Sequence, residues 1–597
     1  MPDLPGAPRA AGSPVAGAAA PGPTDAGGPS VSAISDHYVT ERAGLDPTWG
    51  ERMGVAHDST RLTDYSPAGI EAVADLLRRT RRDLEAAGPA TEQERLGKGF
   101  LLDQLAGELG VIETGERERQ LSIIGGPTTQ TRSVFDLMDR GSEAAWETIA
   151  VRLGAVPAAI AGYRELLASG LAHGRPAARR QALAVADQCA TWAGLAGSGA
   201  AASTLGTAAP GWFSTFVTQY GDGPLRAGLD EAARLAAAAY GELATWLRDG
   251  YAPRATASDA SGDERYQVWA IQLLGTELDL DEAYAWGWEE LARLEVQKAA
   301  ECERILPGAG FDAVRELLLT DPARSIHGVD AYRDWLQSVT DEAIEGLDGR
   351  EFDIPASIRR CDVMIPPEGS AAAAYYTPPS EDLDRPGRTW FPAMGRDRFP
   401  TWDEVTTVYH EAVPGHHLQG ATVRLVPLTR AHRLSFNSAH GEGWALYAER
   451  LMDELGWFRT PDTRLGFLCA HAFRAARIVA DIGLHTGRRI PAAGAALLPG
   501  WAEAGDAWTV ELAVPFLVRT GGMDEPKAAS EVLRYLSWPS QATCYKLGER
   551  AWLAGRDAAR SAAAQAGRSF DLKGWHARAL ALGPLGLRRL GTELGRL

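Results

Sequence analysis

Two long stretches of helical periodicity, 35–347 and 401 onward, enclose one short segment that breaks it. That alternation confines the chain to a mainly α fold with a minor β element. In the first stretch apolar residues recur at helical spacing over 69–87, 144–153, 157–169 and 225–249, separated by turns containing Gly or Pro. Core packing accounts for this pattern, and no motif with chemistry in it lies there. Between 351 and 394 the runs FDIPASIRRCDVMIPPEGSAAAAYYTPPS and RPGRTWFPAM are partly alternating and broken by Pro and Gly, the texture of a few short strands. Such a strand either binds an extended peptide along its edge or braces the helices. After Thr401 the helical texture returns, clearest over 441–455, 463–485, 502–518 and 526–535.

The 597 residues, 45% hydrophobic, can bury a large core and still enclose a cleft. The expected organisation is an Ala/Gly/Pro-rich disordered tail (1–34), an N-terminal helical region (35–350) and a catalytic region (351–597). Lys and Arg total 60 against 78 for Asp and Glu, a net charge of -18 with no basic stretch, so nucleic acid is not an expected partner. The five cysteines form no close pair, which excludes a CxxC metal knuckle and a dense disulfide framework and fits a reducing compartment. The chain opens without a charged start and apolar run, and no segment offers about eighteen uninterrupted apolar residues. A cytoplasmic protein without a membrane partner is expected.

The segment TWDEVTTVYHEAVPGHHLQ, residues 401–419, is the most informative. Thr401 and Glu404 have the spacing of a capping box, which predicts a helix carrying His410 and Glu411 in its third turn. In an HExxH helix, histidines at i and i+4 share a face and reach one zinc ion, while the Glu faces the water. Here position i+4 is Pro414, which cannot ligate. On an unbroken helix His416 is rotated by about 120° and His417 lies about 10 Å along the axis, so either needs a break. Pro414 removes a backbone donor and Gly415 tolerates unusual dihedrals, which supplies one. Looping out two residues favours His416, with His417 the open alternative. The third ligand is expected from SAHGEGWALYAE, where Glu442 lies beside two glycines; Glu449, seven residues on, shares its face and suits a supporting or solvent-facing role.

HEAVPGHHLQ, GEGWALYAE, RAARIVADIGLH (474–485) and YLSWPSQATCYKLG (535–548), in that order, resemble the bacterial family catalogued as domain of unknown function 885. That family is similar to thimet-oligopeptidase-like and carboxypeptidase-Taq-like zinc peptidases, which are mainly helical with a deep channel. The resemblance implies His410, His416 and Glu442 as ligands of one zinc ion per chain and Glu411 as general base. It also implies a late tyrosine that donates to the oxyanion, Tyr545 with Tyr535 near it. Tyr375 and Tyr376 resemble a channel-lining segment and are candidate substrate contacts. Arg477, Asp481 and His485 are each four apart on one helix face; they form either a structural salt-bridge row or a substrate site in which Arg477 and His485 take part.

The expected activity is hydrolysis of amide bonds in short peptides or peptide-like substrates, with Glu411 moving the proton from water to the leaving amine. Two rivals stand beside it: a metal-dependent enzyme acting on an amide or ester of a small metabolite, and a binding or scaffold protein that has lost catalysis. Glu411 argues against the second, since a scaffold has no need of a base.

Overall fold

The computed structural model describes residues 28–195, 210–366, 373–380 and 383–597. The fold is mainly α, with five short strands among the described residues. Most of the expected helices are present within a few residues: Pro67–Ala86, Ser438–Glu454, Pro461–Thr486 and Glu525–Ser537. Their starts follow local chemistry. Asn437 Oδ1 accepts from His440 N at 3.0 Å, and Thr460 Oγ1 accepts from Thr463 N at 3.2 Å with Pro461 just inside the helix.

Three helical expectations need correction. The segments 144–153 and 157–169 form one helix, Glu143–Ala172, with Pro157 inside it. Interior proline costs roughly 3 kcal/mol; burial of Ile149, Leu153, Val156, Ile160 and Tyr163 offsets it. The segment 502–518 is helical only from Val510, after Thr509 caps the amide of Leu512 and Gly505 takes a φ of 91°. In the N-terminal segment, helix Val31–Leu45 starts four residues before the expected start of the helical region at 35, capped by Ser30; residues 1–27 lie outside those described.

A large hydrophobic core runs from Val31 to Leu594 and so crosses the division expected near residue 350. A second core gathers residues between Leu62 and Ala252, chiefly from helices Pro127–Leu137, Glu143–Ala172, Arg179–Trp192 and Arg226–Trp246. Segments far apart in the chain are tied together. Arg95 makes a two-pronged pair with Glu593 at 2.9 and 2.8 Å, Arg589 another with Asp103 at 2.8 and 3.0 Å, and Ser35 Oγ accepts from Ala431 N at 2.8 Å. Among the described residues one helix, Glu143–Ala172, is long and apolar enough to cross a membrane. It carries Arg152, fully buried and paired with Glu51 at 2.7 Å, and packs along Arg226–Trp246.

The strands are β1 (Ser325–His327), β2 (Cys361–Met364), β3 (Tyr375–Thr377), β4 (Gly387–Trp390) and β5 (Arg398–Pro400). β1 pairs antiparallel with β5; β4 pairs parallel with β2 and antiparallel with β3. β1 and β5 lie outside the window where strands were expected. β5 leads into the segment of His410, and β4 packs on the helix of His417, so the β element braces the region of the histidines.

Candidate metal centre

His410 and Glu411 end an eight-residue helix, Glu404–Glu411. The capping box is not formed. Thr401 gives its amide and hydroxyl to Arg324 O at 3.1 and 3.2 Å, so the helix starts at Glu404 and His410 sits in its second turn, not the third. The chain then leaves helical geometry until His416, where helix His416–Leu425 begins. Trp444 Nε1 holds this break by donating to Pro414 O at 2.9 Å and Gly415 O at 3.2 Å. A Cβ on residue 415 would lie 1.9 Å from His410 O, so the chain passes there only with glycine.

The break turns His416 and His417 to opposite sides. His416 Nε2 lies 3.5 Å from Glu442 Oε2, and His410 Nε2 lies 3.4 Å from the same atom. One donor atom from each of the three residues falls within 4.8 Å of the others. His417 is buried away from them, its Nε2 donating to Ile358 O at 2.8 Å and its Nδ1 facing Tyr376 Oη at 3.2 Å. Burial pushes the His417 ring down to about 4, so it stays neutral.

Two imidazoles and a carboxylate match a zinc hydrolase donor set. In a tetrahedral site with ligands at 2.0–2.1 Å the donors are about 3.4 Å apart, close to the two separations seen here and longer than a good hydrogen bond. The surroundings also suit a cation. His410 Nδ1 donates to Glu449 Oε1 at 2.7 Å, which leaves Nε2 as the nitrogen facing Glu442. Burial alone would lower His410, but Glu442 and Glu449 outweigh it and hold the ring up at about 9. Burial likewise opposes ionisation of Glu442, yet hydrogen bonds with His410 and His416 keep it well below the usual carboxylate range. Glu411 is raised by burial, against the opposing effect of His416 and His410.

Behind Glu449 lies a buried polar chain that sequence reasoning missed. Glu449 also accepts from Thr406 Oγ1, and its Oε2 is 3.6 Å from His471 Nε2. His471 Nδ1 accepts from Lys546 Nζ at 3.0 Å, and Lys546 also pairs with Glu549 at 2.6 Å and Glu290 at 2.8 Å. Each buried charge has a partner of opposite sign. Only the seven-residue spacing of Glu442 and Glu449 signalled any of it.

A family model described as "Bacterial protein of unknown function (DUF885)" matches residues 47–594. The chain belongs to this family. No curated protein matches the DUF885 chain. Among solved structures it is similar to a "putative lipoprotein" from Colwellia psychrerythraea, at 21% identity and a TM-score of 0.77, over 95% of this chain and 99% of that one. It is also similar to a "putative lipoprotein of unknown function" from Shewanella oneidensis, at 17% identity and a TM-score of 0.68, over 94% of this chain and 99% of that one. At these identities the likeness concerns the fold.

The remaining candidates of the DUF885 chain fall into two groups. Tyr545 is half-buried, its ring facing the guanidinium groups of Arg474 at 6.0 Å and Arg477 at 4.6 Å. The others are held by structural partners. Tyr535 is buried and accepts from Arg477 Nε at 3.2 Å while donating to Glu531 at 3.0 Å. Arg477 pairs with Glu531 at 2.8 Å. Asp481 accepts from Tyr266 Oη and Ser540 N, and burial raises its carboxyl to about 7. His485 Nε2 donates to Tyr535 O at 2.9 Å. It lines a small pocket of about 40 Å³ together with Glu116, Arg119, Gln181, Arg265 and Trp269. Tyr375 stacks on Trp390 at 5.6 Å and Tyr376 supports His417. Arg474, not singled out in the sequence, has an electrostatic effect on Glu411 and Glu449 that favours their ionised forms.

Proposed function

We propose that this DUF885 protein is a zinc-dependent hydrolase that cleaves amide bonds in short peptides or peptide-like substrates, with one zinc ion per chain. The observation that carries the reading is the convergence of His410, His416 and Glu442 within 4.8 Å beside Glu411. Those three residues would hold the metal, which when bound supplies the acidity that makes water nucleophilic near neutral pH and polarises the substrate carbonyl. Glu411, whose carboxyl burial makes more basic, takes the proton from that water and returns it to the leaving amine. Tyr545 donates its phenolic hydrogen to the developing oxyanion. Glu449 fixes the His410 ring so that Nε2 faces the other donors. The similarity of the family to thimet-oligopeptidase-like and carboxypeptidase-Taq-like peptidases supports the same reading.

The compartment proposed is the cytoplasm, supported by five cysteines that are all buried and free. The descriptions of the two solved neighbours favour the cell envelope instead. Fractionation of cells producing the native chain decides between the two.

The test is zinc content by elemental analysis, with turnover of a mixed short-peptide library, on wild type and Glu411→Gln. About one zinc per chain in both, with turnover lower in the variant by roughly 10²–10⁴-fold, is expected. A wild type that takes up no zinc overturns the reading and promotes the scaffold one. Zinc uptake with cleavage of small amides or esters, and of no peptide, promotes the small-metabolite one.

A further inference from the structure

Along helix Pro461–Thr486 every residue from Leu465 to His485 is buried except Ala470 and Arg474, which are four apart and share a face. Between Pro539 and Glu549, at the start of helix Cys544–Gln565, only Tyr545 is open. In helix Ser438–Glu454 the first open position inside the buried run 439–449 is Glu442. Buried helices thus leave a candidate ligand, an arginine and a tyrosine partly open; the arginine acts electrostatically on Glu411 and Glu449, and its guanidinium lies 6.0 Å from the Tyr545 ring.

The arginine has bonding capacity left over. Arg474 donates Nη1–H to Ala470 O of its own helix at 3.2 Å, and its Nε is buried without a hydrogen-bond partner. Among the described residues no carboxylate lies within ion-pair distance of Arg474. Arg477, on the same Tyr545 ring, uses Nε and Nη2 on Tyr535 and Glu531 and leaves Nη1 buried and unpartnered. Glu531 is already shared with Arg534 at 2.7 Å. Two guanidinium groups flank one ring with N–H groups unused and too little negative charge to match. A buried donor left without an acceptor is costly, and a planar carboxylate is the acceptor that suits a guanidinium fork.

We propose that Arg474, backed by Arg477, binds a carboxylate of the substrate beside the Tyr545 ring. The hydrolase proposed above, on which this inference rests, is therefore selective for peptides that carry a carboxylate next to the scissile bond. Both a free C-terminus and an Asp or Glu side chain present that group.

Three versions of one short peptide separate the sources: a free acid, its C-terminal amide, and the amide with Glu as last residue. Cleavage by the zinc-loaded wild type is followed by mass spectrometry, and binding to Glu411→Gln by calorimetry. At least one carboxylate-bearing peptide is expected to exceed the neutral amide about tenfold or more in kcat/KM and in affinity. Arg474→Gln should erase that preference in cleavage, and in binding when combined with Glu411→Gln. Preference for the free acid assigns the site to a C-terminus; preference for the Glu amide assigns it to a side chain. Equal cleavage and binding of all three overturns the carboxylate site and leaves the hydrolase standing. Cleavage of none overturns the hydrolase reading, and this inference with it.

Discussion

Glu449 accepts a hydrogen bond from His410 Nδ1 at 2.7 Å while Glu442, seven residues earlier on the same helix, meets His410 Nε2 at 3.4 Å. One helix face thus grips both nitrogens of one imidazole. Glu449→Gln keeps the shape and loses the charge. Zinc affinity, measured by competition with a chromophoric chelator, should fall about 10–100-fold with helicity unchanged. An unaltered affinity would show that Glu449 has no hold on the ring.

The two adjacent histidines should separate cleanly. His416→Ala is expected to abolish stoichiometric zinc and leave stability close to wild type. His417→Ala removes the bonds to Ile358 O and Tyr376, and should keep zinc while lowering stability by about 1–3 kcal/mol in urea. The reverse pattern would reassign the ligand.

Gly415→Ala tests the break. The new methyl meets the carbonyl of His410 at 1.9 Å, and that oxygen is backbone, so the turn itself must move. We expect a loss of at least about 2 kcal/mol together with weaker zinc binding. A variant that matches wild type in both would mean that the turn is not what positions His416.

Acid should begin to destabilise the protein above the ordinary carboxylate range. Burial holds His432, His471, His485 and His576 down to about 4, against 6.5 in an unfolded chain. As pH falls from 6.5 to 4 the unfolded state takes up these protons and the native state does not. Stability present above 6.5 is thus lost on the way down, by up to about 1.4 kcal/mol per pH unit for each ring. Urea midpoints at pH 7, 6 and 5 should decline steadily; a flat profile would contradict the neutral buried rings.

The helical class was legible because periodicity survives over most of the chain, and the donor types of the centre were legible because they sit in two short motifs. What decides between His416 and His417 is not periodic. It depends on Trp444 bonding to Pro414 and Gly415 from another helix, a contact no local pattern announces. The capping box failed for a similar reason, since Arg324, 77 residues away, captured the Thr401 hydroxyl. Arg477, Asp481 and His485 do share a face, but helix Pro461–Thr486 is buried nearly all round, and its pattern cannot say which neighbour each face meets. Arg474 lies three residues from Arg477 and off that row, so attention to the i,i+4 row passed over it.

The ties joining Arg95 to Glu593 and Asp103 to Arg589 bear on how the protein is made. A ribosome delivers Arg95 498 residues before Glu593, and Asp103 486 residues before Arg589. Until Leu590 and Leu594 emerge, the large core lacks part of its wall, and the helices of the candidate metal centre are synthesised into an unfinished enclosure. Closure of this core therefore waits on residues made long after its first helices, and the nascent protein depends on remaining shielded from aggregation until they have emerged.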